Sequence, residues 1–223
     1  MVLDPVQIRV LGSLIEKEIT TPENYPLSLN ALLNACNQKS SREPVMELTE
    51  DELRQALHTL EDDDLVSSLH DARVPKYEHR VRTVWNLRRD ETAVLCLLML
   101  RGPQTAGEIR GRSERLHAFD DIASAQSALD RLATREPASD GAPNATGPLT
   151  VLLPRQPGSR EARYAHLLSG TPEFTGETAN APVESRTAPP SRIAELEEKI
   201  AALSSALAAL EDRITRMESS PQR

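Results

Sequence analysis

The chain has 223 residues, 26 Lys+Arg against 34 Asp+Glu and a formal net charge of -8, a balance that excludes a protein coating nucleic acid by bulk electrostatics but leaves room for a local basic patch. Its length fits two small domains better than one large one. Two cysteines, Cys36 and Cys96, set among apolar or helical neighbours, do not form a disulfide framework, and no apolar run approaches the roughly 20 residues that cross a bilayer, so the expectation is a soluble, reduced, cytoplasmic protein.

In chain order, Asp4 as N-cap and Pro5 at the first helical position open a helix over 5–18, with Val6, Val10, Leu11, Leu14 and Ile15 as its apolar stripe. A turn with two prolines follows, Thr20 to Pro26, under which Tyr25 packs. A short helix then runs from about Ser28 to Cys36. The loop Asn37 to Met46 is far longer than the roughly 3–4-residue turn of a plain helix-turn-helix. Two amides, two serines, Lys39 and Arg42 make it a set of phosphate-contacting donors, or a solvated loop whose Asn and Ser side chains serve local backbone groups.

Thr49-Glu-Asp-Glu52 has the spacing of a capping box, and Leu53, Leu57 and Leu60 fall on one face of a helix over 49–62. If this unit reads DNA, that is the recognition helix, with Arg54, Gln55 and His58 offered to base edges. Glu50, Asp51 and Glu52 would repel flanking phosphates, or simply complement the helix dipole. Leu65 to Leu69 and Lys76 to Trp85 read as two strands of a hairpin, and Arg73, Lys76, His79, Arg80 and Arg82 form the densest basic run in the chain. Such a run on a wing can straddle a phosphate strand, and the same charges would also protect a sheet edge.

From Asp90, read as the next N-cap, the pattern restarts: a helix to Leu100 stopped by Gly102-Pro103, a second capping-box spacing at Thr105 to Glu108, and a helix over about Asp121 to Ala133 with Ile122, Ala125, Leu129 and Leu132 inward. Leu149 to Leu153 and Arg163 to Leu168 flank a Pro-Gly turn and read as a hairpin. Leu57-x-x-Leu60 matches Leu129-x-x-Leu132, and Lys76-Tyr77-x-His79 matches Arg163-Tyr164-x-His166, so the halves are versions of one unit, each expected to bury its own leucine-lined interior. The second unit could offer Arg110, Arg112, Arg115 and Arg155 to phosphates. His79 and His166 are expected to hydrogen-bond within their strand pairs.

No clustered metal-ligand spacing, phosphate-cradling Gly motif or nucleophile–base arrangement can be assembled from neighbouring residues, so neither an enzyme nor a cofactor is expected. Residues 4 to about 168 resemble the YceH family of bacterial proteins, through Asn24-Tyr-Pro-Leu-Ser-Leu-Asn-Ala-Leu-Leu-Asn-Ala-Cys-Asn-Gln-Lys-Ser-Ser-Arg-Glu-Pro-Val-Met46 and Arg73-Val-Pro-Lys-Tyr-Glu-His-Arg80. The resemblance implies a pair of winged-helix domains and no established biochemical activity. It does not reach the insert at 136–148 or the chain past about Gly170.

Residues 169–191 read as a linker. Beyond it Ile193, Ile200, Leu207 and Ile214 recur every seven residues with Leu196, Leu203, Leu210 and Met217 between them, the seam of a parallel two-stranded coiled coil, or the face of a single helix folded back on the body. The sequence thus gives a mainly α protein with small β-hairpins: winged helix-turn-helix domains over 1–89 and 90–168, a linker over 169–191 and a coiled-coil helix over 192–218. Its expected role is a homodimeric regulator that binds nucleic acid, double-stranded DNA first, through Lys39, Arg42, Arg54, Gln55, His58, Arg73, Lys76, Arg80 and Arg82. The alternative is a protein-interaction scaffold with no nucleic-acid binding.

Overall fold

Helix α1 (Pro5–Thr20) is the element around which the rest packs in the computed structural model, which describes residues 2–70, 73–136, 147–155, 159 and 161–171, all within one compact unit, Met1–Glu177. The expected linker after 171 and the coiled-coil seam lie outside the described residues. Asp4 Oδ1 accepts from the Val6 and Gln7 N–H groups at 2.8 and 2.9 Å, and Gln7 Oε1 accepts from the Asp4 N–H, which fixes the start of α1 as its residues predict. The one-sided stripe is not what is found: every residue from Gln7 to Ile15 is buried. A helix enclosed all round is core, and α2 (Leu29–Cys36), α3 (Glu50–Asp62) and α5 (Arg89–Arg101) together enclose this one.

α5 is equally enclosed, with Glu91 through Leu100 buried without a break. The two helices approach closely at Gly12, where a Cβ would lie 2.9 Å from Leu100 Cδ2 and 3.2 Å from Met99 Cβ. The apolar core consequently runs as a single cluster from Leu3 to Leu168, where the repeat had suggested a separate interior for each half.

Three antiparallel strands close the first half in the order β1 (Leu27–Ser28), β3 (Lys76–His79), β2 (Val66–Leu69). β1 has two residues, too few to leave an alternating pattern. The expected strand from Lys76 to Trp85 ends at His79 and gives way to a short helix, α4 (Val81–Val84), which seats Val81 and Trp85 in the core. Its β-branched residues favour a strand, but Val81, Val84 and Trp85, at i, i+3 and i+4, all turn toward the core only on a helical turn, since a strand would point Val84 the other way.

In the second half the helix after Arg88 opens differently from expectation. Asp90 is not the cap; it lies in the first turn of α5, Glu91 Oε2 accepts from the Arg88 N–H at 2.9 Å, and Asp90 is left to pair with Arg131. Gly102 ends α5 with φ +68°, Thr105 caps α6 (Ala106–Arg112) in a capping box, and Asp121 caps α7 (Ile122–Ala133). Ala125, Leu129 and Leu132 point inward as expected, but Ile122 is 55% exposed, because the first helical residue after the cap precedes the packed face.

β4 (Thr150–Leu152) and β5 (Tyr164–His166) form the second hairpin, and its register repeats the first. Val66 faces His79 and Ser68 faces Tyr77; Thr150 faces His166 and Leu152 faces Tyr164. The third strand has its counterpart too, since Gln104 bridges Tyr164 where Leu27 pairs with Tyr77. The internal repeat seen in the two Tyr-x-His motifs therefore holds at the level of backbone pairing.

Candidate nucleic-acid interface

The loop after α2 is pinned at several points. Asn37 exchanges hydrogen bonds with the Leu48 backbone, its Oδ1 accepting at 2.8 Å and its Nδ2 donating at 2.9 Å, and the Glu43 N–H donates to the Leu100 carbonyl at 2.8 Å. The last carbonyls of α2, which have no intrahelical donors, are met by two arginines: Arg42 donates to Ala35 O at 2.9 and 3.2 Å, and Arg9 to Cys36 O at 3.1 Å. Arg9 also donates to Pro44 O at 2.5 Å. Burial, then the neighbouring Arg42 charge, pushes the Arg9 pKa down.

This corrects the expectation for Arg42. Its side chain is fully buried and paired with Glu16 at 2.6 Å, so it cannot meet a phosphate. The reason is its role as the donor that closes α2. Lys39, in the same loop, is exposed, and Asn37 serves backbone groups as the solvated-loop alternative had it.

On α3 the acidic first turn has local employment. Glu52 Oε2 accepts from the Thr49 N–H at 2.8 Å, a bond that holds its carboxyl below the ordinary range, and Glu50 pairs with Arg54 at 2.5 Å. Arg54 is thus exposed but already engaged. His58 is exposed, 3.9 Å from Asp62, and the exposed Gln55 side chain has no hydrogen-bond partner among the described residues.

The basic run divides between two places. Arg73, exposed in the β2–β3 turn, and Lys76, half-buried at the start of β3, have no ion-pair partner among the described residues. Arg80 and Arg82 lie past the other end of β3, so they are not on the hairpin tip as expected. Four residues of strand place Arg80 about 13 Å from Lys76. Arg80 pairs with Asp64 at 2.8 Å, and Arg82 is exposed on α4. In the second half Arg110 donates to Asp120 O at 3.4 Å, Arg112 to Gln104 Oε1 at 2.8 Å, and Arg115 and Arg155 are exposed.

Neither histidine bonds across its strand pair. The His79 ring crosses to α1, where Nε2 meets Glu18 Oε2 at 2.8 Å, and the His79 N–H donates to Tyr25 Oη at 2.7 Å. That ring, by its hydrogen bond, holds the Glu18 carboxyl below its ordinary value. Arg9, Glu16 and Glu18 all escaped the sequence, where the one available signal was a charged Arg9 between Ile8 and Val10; Tyr25 packs as expected, but its bond to His79 was not foreseen.

His166 Nδ1 has no partner among the described residues, and burial pushes its pKa from 6.5 down to about 4. Between those values the unfolded chain binds the extra proton, so this stability is complete above pH 6.5 and is lost as the pH falls toward 4. We expect His166→Leu to remove up to about 3 kcal/mol of that acid sensitivity. The urea midpoint of the variant should depend less on pH than that of the parent on acidification; equal slopes would show His166 to be uninvolved.

The described residues define a mainly helical protein with two small antiparallel sheets. Both cysteines are free and buried, no helix is long and apolar enough to cross a membrane, and no group of three or more His, Cys, Asp or Glu could hold a metal ion among these residues. The chain belongs to the DUF480 family, described as proteins of unknown function, whose profile matches residues 3–159; this is the family named YceH above. A UPF0502 protein of Koribacter versatilis is 49% identical over 201 residues, 90% of this chain and 89% of its own. Another, from Aeromonas hydrophila, is 44% identical over 225 residues, 98% of this chain and 99% of its own. A third, from Geobacter sulfurreducens, is 46% identical over 206 residues, 90% of each chain. The matched regions thus extend past Gly170 and span the 136–148 insert, beyond the limits of the resemblance drawn from the motifs.

Proposed function

We propose that the chain binds double-stranded DNA through two tandem winged-helix units. The observation that carries this is the order helix, strand, helix, helix, hairpin, with β1 against β3, repeated in the second half down to the Gln104–Tyr164 bridge. In the first unit α3 is the element for a major groove, and the β2–β3 turn the element for a flanking phosphate strand. Phosphate contact falls to Arg73, Lys76, Lys39 and Arg82, and base contact to Gln55 and His58. Arg54 joins them by exchanging Glu50 for an acceptor on DNA, an exposed ion pair costing at most about 1 kcal/mol to break.

Fluorescence anisotropy of a labelled duplex in about 50 mM salt tests this. The unaltered protein should bind at micromolar concentration, and Arg73→Ala with Lys76→Ala should lower affinity at least about tenfold and flatten the salt dependence by about two charges. No binding, or binding indifferent to the two changes, refutes it. The first outcome would move attention to a protein partner, the role favoured by the net charge of -8 and by exposed Glu50 and Asp51 on α3.

A further inference from the structure

Between the end of α1, the loop after α2, the end of α5 and the segment after α6 lies a cleft of about 550 Å³. Lys17, Lys39, Arg101, Arg112 and Arg115 line it, against one carboxylate, Glu16. Glu16 does not balance them, because Arg42 holds both its oxygens, at 2.6 and 3.2 Å, and Lys17 shares it at 3.3 Å. Arg112 donates to the neutral Gln104 Oε1 at 2.8 Å, and its one carboxylate contact among the described residues is a loose one with Glu108, 3.8 Å, whose same oxygen takes a donor from Arg163 at 3.1 Å. Lys39 and Arg115 have no ion-pair partner among the described residues. Arg101 is half-buried and donates to Ser41 Oγ at 2.5 Å.

A recess with this excess of cations concentrates the positive potential that its low-dielectric walls focus. Burial, and after it the charge of Arg112, lowers the pKa of Arg101, while Glu16 and Glu43 act in the opposite direction. Three guanidinium groups offer the planar paired donors that phosphate oxygens take, and the volume falls within the range that holds small ligands.

We propose that this cleft binds a small ligand carrying two or more phosphate groups. Its contacts come from the first half through Lys17 and Lys39 and from the second through Arg101, Arg112 and Arg115, so a bound ligand ties the halves together. The site is separate from the hairpin tip; it shares Lys39 with the proposed DNA contacts of the first unit, and Arg112 and Arg115 with the phosphate contacts expected of the second.

Calorimetric titration of the full chain with inorganic pyrophosphate, at ionic strength matched with chloride, tests the proposal. Saturable single-site binding and a raised thermal midpoint are expected. Lys39→Ala with Arg115→Ala, both exposed positions, should weaken binding about tenfold or more without moving the unliganded midpoint. Arg101→Lys, which keeps the charge and loses the fork, should weaken it several-fold, and Arg73→Ala with Lys76→Ala should leave it unchanged. No saturable binding at millimolar pyrophosphate overturns the proposal, as does binding indifferent to both cleft variants. So does loss of duplex binding in the Lys39/Arg115 variant alongside no pyrophosphate binding in the parent, which would assign the cleft to nucleic acid.

Discussion

Replacing Arg42 by alanine is expected to destabilise the protein by about 3–5 kcal/mol, the cost of leaving one partner of a buried ion pair alone. The Arg42 side chain is fully buried, and that of Glu16 is only 17% exposed. Burial by itself would raise the Glu16 carboxyl; Arg42 overcomes this with a hydrogen bond and its charge and holds the carboxyl below the ordinary value. Without Arg42, Glu16 loses that compensation, and Ala35 O at the end of α2 loses its donor. The sign with pH follows: a carboxyl whose folded pKa is depressed contributes above its unfolded value of 4.5, and the contribution fades as the pH drops below that. Urea unfolding at neutral pH should therefore show the full loss and in acid a smaller one. A loss under about 1 kcal/mol at neutral pH would mean that the pair is no stronger than an exposed one.

Gly12→Leu should cost about 3 kcal/mol or more, since overpacking a dense core typically costs 1–3 and this site lies where two enclosed helices touch. Even a single Cβ would stand 2.9 Å from Leu100 Cδ2 and 3.2 Å from Met99 Cβ. The leucine terminus can rotate aside; Met99 Cβ is fixed to the α5 backbone. A glycine in a helix interior costs about 1 kcal/mol relative to alanine, so removing it carries a gain that the clash must exceed. Gly111→Ala supplies the control: nothing lies within 4 Å of its Cβ, and it should be neutral or slightly stabilising. Thermal unfolding of both variants decides, and equal midpoints would show that α1 and α5 yield at their contact.

What the residues revealed was what neighbours in sequence decide. The caps at Asp4, Thr49 and Thr105 are contacts within three residues, and all three stand in the structure; the cap read at Asp90 does not, because that carboxylate is held by Arg131, 41 residues away. Leu53, Leu57 and Leu60, like Leu129 and Leu132, needed only helical periodicity to be placed inside. The repeated Tyr-x-His motif foretold a shared strand register. Hidden from the sequence was everything settled by distant partners. Arg42 looked like a loop cation until Glu16 and the end of α2 claimed it, and Arg80 looked like part of the wing until Asp64 did. Arg54 was different, because Glu50 stands one helical turn before it and the pairing was open to view. The strand ending at His79 was missed because Val81, Val84 and Trp85 favour strands locally, while the core beneath them rewards a helical turn. No local pattern marks a cleft whose lining comes from four elements.

The contact of α1 with α5 at Gly12 has a mechanical outcome. Because α1 and α5 bury their contact inside one continuous core, the first and second halves share the atoms that exclude a Cβ at Gly12. A disturbance at that one position is therefore transmitted to both at once.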